Sequence, residues 1–243
     1  VNVVYESVNM VHESTRQTPR EARHDANEAR ILDAALGLVA GGGLEALSMA
    51  RLADAVDFTP GALYRYYGSK DALLAAMVAR ILEGLREHLA ATVAALPPKG
   101  NALVRVLALA RAYGTWAGAN PHGFGLLAVT LAEPRVLLTD DADAQPVTAR
   151  VLAALELVAE ALVDAEEESL LDEGDVFERT VCLLAALHGL LQLRKRAGAA
   201  PRALDVEALA QAATRALLVG WGATPRSVTA ALKKLTPLPG APS

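Results

Sequence analysis

Three helix starts crowd together at Ser48, Thr59 and Ser69, and they constrain the fold more than anything else in the chain. Ser48 is a good N-cap for a short helix over Met49–Val56, with Leu52, Ala53 and Val56 on one face. Asp57-Phe58-Thr59 reads as a turn. Thr59 caps the next helix, and Pro60 takes its first position, where no N–H is needed. That helix covers Gly61–Tyr66 and ends at Gly68. Ser69 opens a longer helix with Asp71 in its positive first turn and Leu74, Met77, Val78, Ile81 and Leu85 as its apolar stripe. A helix as short as the middle one is unstable in isolation. The helices before and after it must hold it.

This is the logic of a helix-turn-helix, in which the second helix is a rigid rod for the major groove of DNA. Leu63 faces inward in that arrangement, while Thr59, Pro60, Gly61, Ala62 and Tyr64 line the outer side. Gly61 and Ala62 are small enough for close approach to base edges, and a methyl such as that of Ala62 can touch a thymine methyl. Tyr64 and Tyr66 can donate to phosphates. Lys70 lies at a helix start, where its charge and the free N–H groups both favour a phosphate, and Ser48 offers a similar position. Arg51 and Arg65 add positive charge. Tyr64, Tyr66 and Tyr67 fan around the helix, so they cannot all be buried; Tyr67 is expected inside and the other two outside. The plain alternative is a three-helix core with solvated tyrosines.

The stretch ILDAALGLVAGGGLEALSMARLADAVDFTPGALYRYYGSKDALLAAMV, residues 31–78, resembles the TetR (tetracycline-repressor-like) family of bacterial regulators. The most specific part is Leu63-Tyr64-Arg65-Tyr66-Tyr67-Gly68-Ser69-Lys70-Asp71-Ala72-Leu73. The resemblance implies an all-α homodimer that binds a palindromic operator, with a larger C-terminal domain for ligand binding and dimerisation. Asp57 and Phe58 depart from the family pattern, which has Gly and an aliphatic residue there. Asp tolerates turn conformations, but it places a negative charge near the DNA.

Elsewhere the pattern is helical. Residues 1–25 are polar and read as a flexible arm, with Asp25 as a helix cap and Glu28 three residues on. Ile31, Leu32, Ala35, Leu38 and Val39 recur at helical spacing until Gly41-Gly42-Gly43. After Pro97-Pro98, Ala and Leu dominate, and helices are expected at roughly 101–119, 121–133, 147–167, 175–197 and 203–221. Thr139–Pro146 reads as an acidic loop. The domain division is then a helix-turn-helix domain over 26–75, an effector-binding and dimerisation domain over 76–224, and a tail over 225–243. The broad apolar faces of the helices at 147–167 and 175–197 suit a four-helix bundle across a two-fold axis, or packing within the chain.

Ala112-Tyr113-Gly114-Thr115-Trp116-Ala117, Asn120-Pro121-His122-Gly123-Phe124 and His188-Gly189-Leu190 resemble one C-terminal subfamily with a Trp-His-Gly motif, although Leu187 replaces the Trp. The resemblance implies a largely apolar effector pocket, with Trp116, His122, Phe124, Leu127 and His188 as its expected wall. Aromatic side chains also serve as plain core, and a histidine on an apolar helix as a hydrogen-bonded core residue.

Composition narrows the function. The chain has 243 residues, 53% of them hydrophobic and 21% charged, with a net charge of −5, which excludes a histone-like basic mode of DNA binding but not a local docking face. The single cysteine, Cys182, is expected to pack as a small hydrophobe, and its use suits a reducing cytoplasm. Residues 1–27 hold no apolar stretch long enough for a signal peptide. The five histidines show no metal-ligand spacing, and no catalytic signature is visible, so no cofactor, no metal and no enzyme is expected. The expectation is a cytoplasmic, ligand-responsive transcriptional regulator, with an operator, a small apolar effector and a second copy of the chain as partners, and no membrane. The alternatives are a dimeric adaptor that has lost DNA binding, and an all-α Mg²⁺-diphosphate enzyme built on Asp140, Asp141 and Asp143.

Overall fold

The computed structural model describes residues 18–97, 101–132, 141–194 and 205–235, with only the backbone described at 131–132 and 141–146. Ten α-helices and one short 3-10 turn account for most of the described residues, and no strand occurs among them. Helix α1 covers Pro19–Gly42, α2 Met49–Ala55, α3 Pro60–Leu63 and α4 Lys70–Ala94. Then come α5 (Ala102–Ala119), α6 (Pro121–Ala132), α7 (Asp141–Glu167), α8 (Val176–Gln192), α9 (Val206–Gly220) and α10 (Pro225–Lys234).

Side-chain caps start most of these helices. Ser48 accepts from the N–H of Arg51, Thr59 from that of Ala62, and Ser69 from that of Ala72. Helix α1 starts earlier than expected, because Thr18 and Glu21 form a capping box and Pro19 fills the first position; Asp25 is therefore inside the helix, not its cap. At its other end Gly43 adopts a positive φ of 69°, as a residue without Cβ can.

The first four helices build one core around Ile31, Leu52, Leu63, Leu73 and Met77, all fully buried. Helix α4 then runs on without a break into the second part of the chain, where it packs on α5, α6 and α7. It is therefore both the last element of the small domain and a wall of the large one. Helix α5 is central to the large domain, touching α4, α6, α7, α8, α9 and α10.

Three expectations need correction here. The acidic stretch is not a loop from residue 141 onward, because α7 begins at Asp141; residues 139–140, like 1–17 of the arm, lie outside the described residues. Residues 225–235 are not a tail. Thr224 caps α10, Pro225 takes its first position, and Val228 and Ala231 bury one face, with the helix packed on α5 and α9. Cys182 is exposed, because Leu183, Leu187 and Leu191 form the inward stripe of α8 and Cys182 lies off it.

Candidate functional site

Leu63 and Tyr67 anchor α3 from below, at 0% and 5% exposure, and so fix which of its residues face out. Ser48, Arg51, Thr59, Pro60, Gly61, Tyr64, Arg65 and Lys70 are all exposed; Ala62 and Tyr66 are half-buried. Of the outward set expected from sequence, Thr59, Pro60, Gly61 and Tyr64 stand exposed, and Ala62 does so only in part. Tyr64 is half exposed, with its ring free to reach a partner.

Tyr66 is held more firmly than expected. Its ring stacks on His24 at 4.8 Å and on Phe58 at 5.9 Å, and its hydroxyl accepts from Asn27 Nδ2 at 3.0 Å. Arg30 completes the stack, with its guanidinium 5.0 Å from the Phe58 ring centre and a hydrogen bond to the carbonyl of Val56. The Tyr67 hydroxyl donates to Glu28 at 3.4 Å; burial, and then the nearby Glu28 charge, push the phenol well above its ordinary range. His24, Asn27, Glu28 and Arg30 thereby clamp the end of the short helix to α1. Of these only Glu28 is picked out by the sequence, and there as the partner of a cap at Asp25, because nothing in the spacing of α1 reveals which residues of the later helix it meets. Asp57 sits exposed in the turn between α2 and α3 with φ 54°, the left-handed conformation that Asp tolerates.

In the large domain a second polar centre is fully enclosed. The Tyr113 hydroxyl on α5 lies 2.6 Å from Nδ1 of His188 on α8. Phe124 of α6 lies 4.8 Å from the His188 ring and 6.2 Å edge-on from Tyr113. Burial pushes the imidazole below its ordinary range and the phenol above its own, so both stay neutral. Of the five residues expected to form a pocket wall, Trp116, Phe124, Leu127 and His188 are buried in the core, but His122 is exposed on the first turn of α6. Tyr113 was not in that set, although it lies in the same motif.

An open groove of about 950 Å³ lies elsewhere, on another face of α5, between α5, α8, α9 and α10. Leu107, Ala110, Gly114, Leu187, Leu191 and Leu232 line it, and none of the expected wall residues does.

Among the described residues no group of three acidic, His or Cys side chains could hold a metal ion. The side chains of Asp140, Asp141 and Asp143 lie outside the described residues. No helix among the described residues is long and apolar enough to cross a membrane.

The comparisons with known proteins fall on two stretches of the chain. The family model described as bacterial regulatory proteins, tetR family, matches residues 31–77, and the one described as tetracyclin repressor-like, C-terminal domain, matches residues 106–217. A stretch of 54 residues is 48% identical to the HTH-type transcriptional repressor KstR of Rhodococcus jostii (strain RHA1); it spans 22% of this chain and 26%, about a quarter, of that repressor. Three solved structures share the fold at low identity. A protein of unknown function from Rhodococcus sp. RHA1 has a TM-score of 0.66 at 22% identity, over 80% of this chain and 95% of its own. RolR in complex with resorcinol has 0.64 at 16%, over 89% and 98%. FadR from Bacillus subtilis in complex with stearoyl-CoA has 0.60 at 15%, over 79% and 98%. With its helix-turn-helix surface, its continuous α4 and both halves matched, the chain belongs to the tetR family of bacterial regulatory proteins.

Proposed function

We propose that the chain is a cytoplasmic, homodimeric repressor that binds a palindromic operator and responds to a small, largely apolar effector held in the C-terminal domain. The observation that carries this reading is the outward face of α3. Leu63 and Tyr67 lock it from inside, and Thr59, Pro60, Gly61, Tyr64, Arg65 and Lys70 stand together in solvent. A rigid short helix with small residues at its start suits insertion into a major groove. Tyr64 and Arg65 reach outward from its end. Lys70 sits at the start of the 25-residue α4, where its charge adds to that of the helix terminus on a phosphate. The relative KstR is a transcriptional repressor, which supports the same assignment.

Effector response requires two states that the ligand binds with different affinity. Helix α6 is placed to connect them. It carries Phe124 against His188, and it packs on both α1 and α4. At Gly123 it faces Ile81 of α4, where a Cβ would make an ordinary contact at 3.5 Å. A ligand that displaces α6 therefore bears on the orientation of the DNA-binding domain. The neighbours RolR and FadR were solved with resorcinol and stearoyl-CoA, which supports a ligand-binding role for the same fold here.

The test is a mobility-shift titration on DNA upstream of the protein's own gene, with non-specific competitor and at two salt concentrations. The expected result is a competitor-resistant shift that weakens with salt and gives a palindromic footprint. Tyr64→Phe and Lys70→Ala should each weaken binding without unfolding the protein, and Lys70→Ala should lower the salt slope by about one. A salt-insensitive shift, or no sequence recovered by genome-wide selection, would favour the adaptor reading.

A further inference from the structure

We propose that His188 Nε2 is the recognition point of a buried ligand site, and that the ligand is a neutral, flat, apolar molecule whose carbonyl oxygen accepts a hydrogen bond from it. The inference rests on reading the C-terminal domain as the effector domain, and it names the chemistry of that effector.

The proton positions follow from counting partners. Tyr113 and His188 meet at 2.6 Å, so one of them donates to the other. If Nδ1–H donated to the phenol oxygen, the Tyr113 proton would need another acceptor, and none is present among the described residues. The His188 Nε2 lone pair would be stranded as well. If Tyr113 donates to Nδ1, only one group is left over, and it is Nε2–H. The second arrangement leaves fewer buried groups unsatisfied and is favoured. Burial keeps the phenol protonated and the imidazole neutral, as this pairing requires.

His188 is 7% exposed, and Nε2 lies inside the core with no hydrogen-bond partner among the described residues. Most buried histidines have both nitrogens matched; Nε2 of His88 is also unmatched, but that residue is only half-buried. Here Tyr113 fixes one edge of the ring and leaves the opposite edge as a single, oriented donor. The surroundings of the imidazole are aromatic: the Phe124 ring of α6 lies 4.8 Å away, tilted 46°, and Tyr113 of α5 is edge-on to Phe124. That setting suits a flat apolar body.

The same inventory selects the polar group. A cation would face a donor. A carboxylate would bring a full charge into a cluster of neutral rings with one donor to meet it, which is unfavourable. A hydroxyl could accept from Nε2–H but would bring a proton needing its own acceptor. A carbonyl accepts and has no proton to place. Tyr113 is a positioning residue in this scheme, because it acts by setting the tautomer of His188.

The test uses the full-length protein without DNA. Nitrogen-15 labelling of histidine reads the His188 tautomer by NMR, and Nε2–H is expected. Acetophenone and isopropylbenzene then serve as probes, since they share a ring and a branch and differ in the carbonyl. Acetophenone should bind roughly fivefold or more tightly than isopropylbenzene and should shift the His188 Nε2–H resonance. His188→Phe should erase that preference. Tyr113→Phe, a smaller change, should reduce it while the protein stays folded. An Nδ1–H tautomer, equal or absent binding of the two probes, an unmoved Nε2–H resonance, or a preference that survives in His188→Phe would each overturn the proposal. Those failures leave operator binding untouched. Carbonyl-selective binding by a protein that ignores DNA would instead sink the repressor reading alone.

Discussion

Asp57 shows how much one backbone conformation can decide. It holds φ at 54° in the turn before α3, and it is exposed beside the face proposed for DNA. Asp57→Gly removes the charge and keeps the conformation available, so operator affinity should rise, by roughly threefold to tenfold at physiological salt, with stability changed by less than about 1 kcal/mol. Asp57→Ala should tighten DNA binding similarly but lose about 1–2 kcal/mol to the left-handed conformation. Urea titration beside the mobility shift separates the two effects. An Asp57→Gly protein that binds no better than the wild type would show that the carboxylate lies away from the phosphates. His188 gives a second residue-scale expectation. Burial lowers its folded value below the ordinary imidazole range, so the unfolded chain takes up a proton that the folded one refuses. Its contribution to stability is present above about pH 6.5 and is lost as pH falls below that value. The urea midpoint of the wild type should therefore drop between pH 7.5 and pH 5.5 by more than that of His188→Gln. Equal drops in the two proteins would show that His188 does not carry the acid sensitivity.

At the scale of elements, the caps and stripes were legible in the sequence and the partners were not. Ser48, Thr59 and Ser69 cap as expected, and Leu74, Met77, Val78, Ile81 and Leu85 are all buried on α4, because both signals are local and periodic. Helix α10 escaped notice although Thr224-Pro225 is a sound start, since a short helix with two lysines in its last turn resembles a polar tail until α5 and α9 cover its apolar side. The junction of α7 and α8 was equally hidden. Arg179 is 8% exposed and donates to Glu166 at 2.6 Å and to the carbonyl of Asp172 at 2.7 Å, with its guanidinium 5.6 Å from the Trp221 ring centre. Its neighbours explain Gly174 and Gly222: a Cβ on Gly174 would strike the Arg179 guanidinium, and one on Gly222 the Asp172 carboxylate, with φ at Gly222 already +103°. No sequence period foretells such a pairing, because it joins residues brought close only by packing. Arg179→Ala strands the Glu166 carboxylate and should cost about 3 kcal/mol or more in chemical denaturation. In the Arg179→Met, Glu166→Gln double variant the loss should be smaller than in Arg179→Ala. An equal loss would mean that the side-chain volume matters and the charge pair does not.

Among the described residues of the whole molecule an apolar face is uncovered, and its position bears on how two copies would meet in the proposed dimer. The apolar faces of the helices at 147–167 and 175–197 suit either a shared bundle or packing within the chain. In the structure α7 spends its broad face within the chain, on α4, α5 and α8, and its exposed Leu152 and Val163 stand among Glu156, Glu160 and Glu167. Phe177, at 66% exposure, and Val181 on α8 instead lie open beside Cys182 and Ala185, while the adjoining α9 exposes Leu209, Ala212 and Ala216. Large exposed apolar residues on two packed helices mark an interaction surface, and two helices from each copy make a four-helix bundle around a two-fold axis. In an isologous contact each substitution is felt twice. Val181→Glu should therefore give a monomer by analytical ultracentrifugation, with its helix content intact. Leu152→Glu on α7 should leave the dimer unchanged. Because one bound copy in the proposed dimer holds its partner at high effective concentration beside the second half-site, the monomer should lose operator affinity by roughly a hundredfold or more, while a half-site still binds it as the wild-type monomer would. If Leu152→Glu were the variant that dissociates, the bundle would run through α7, and the free face of α8 and α9 would belong to some other contact.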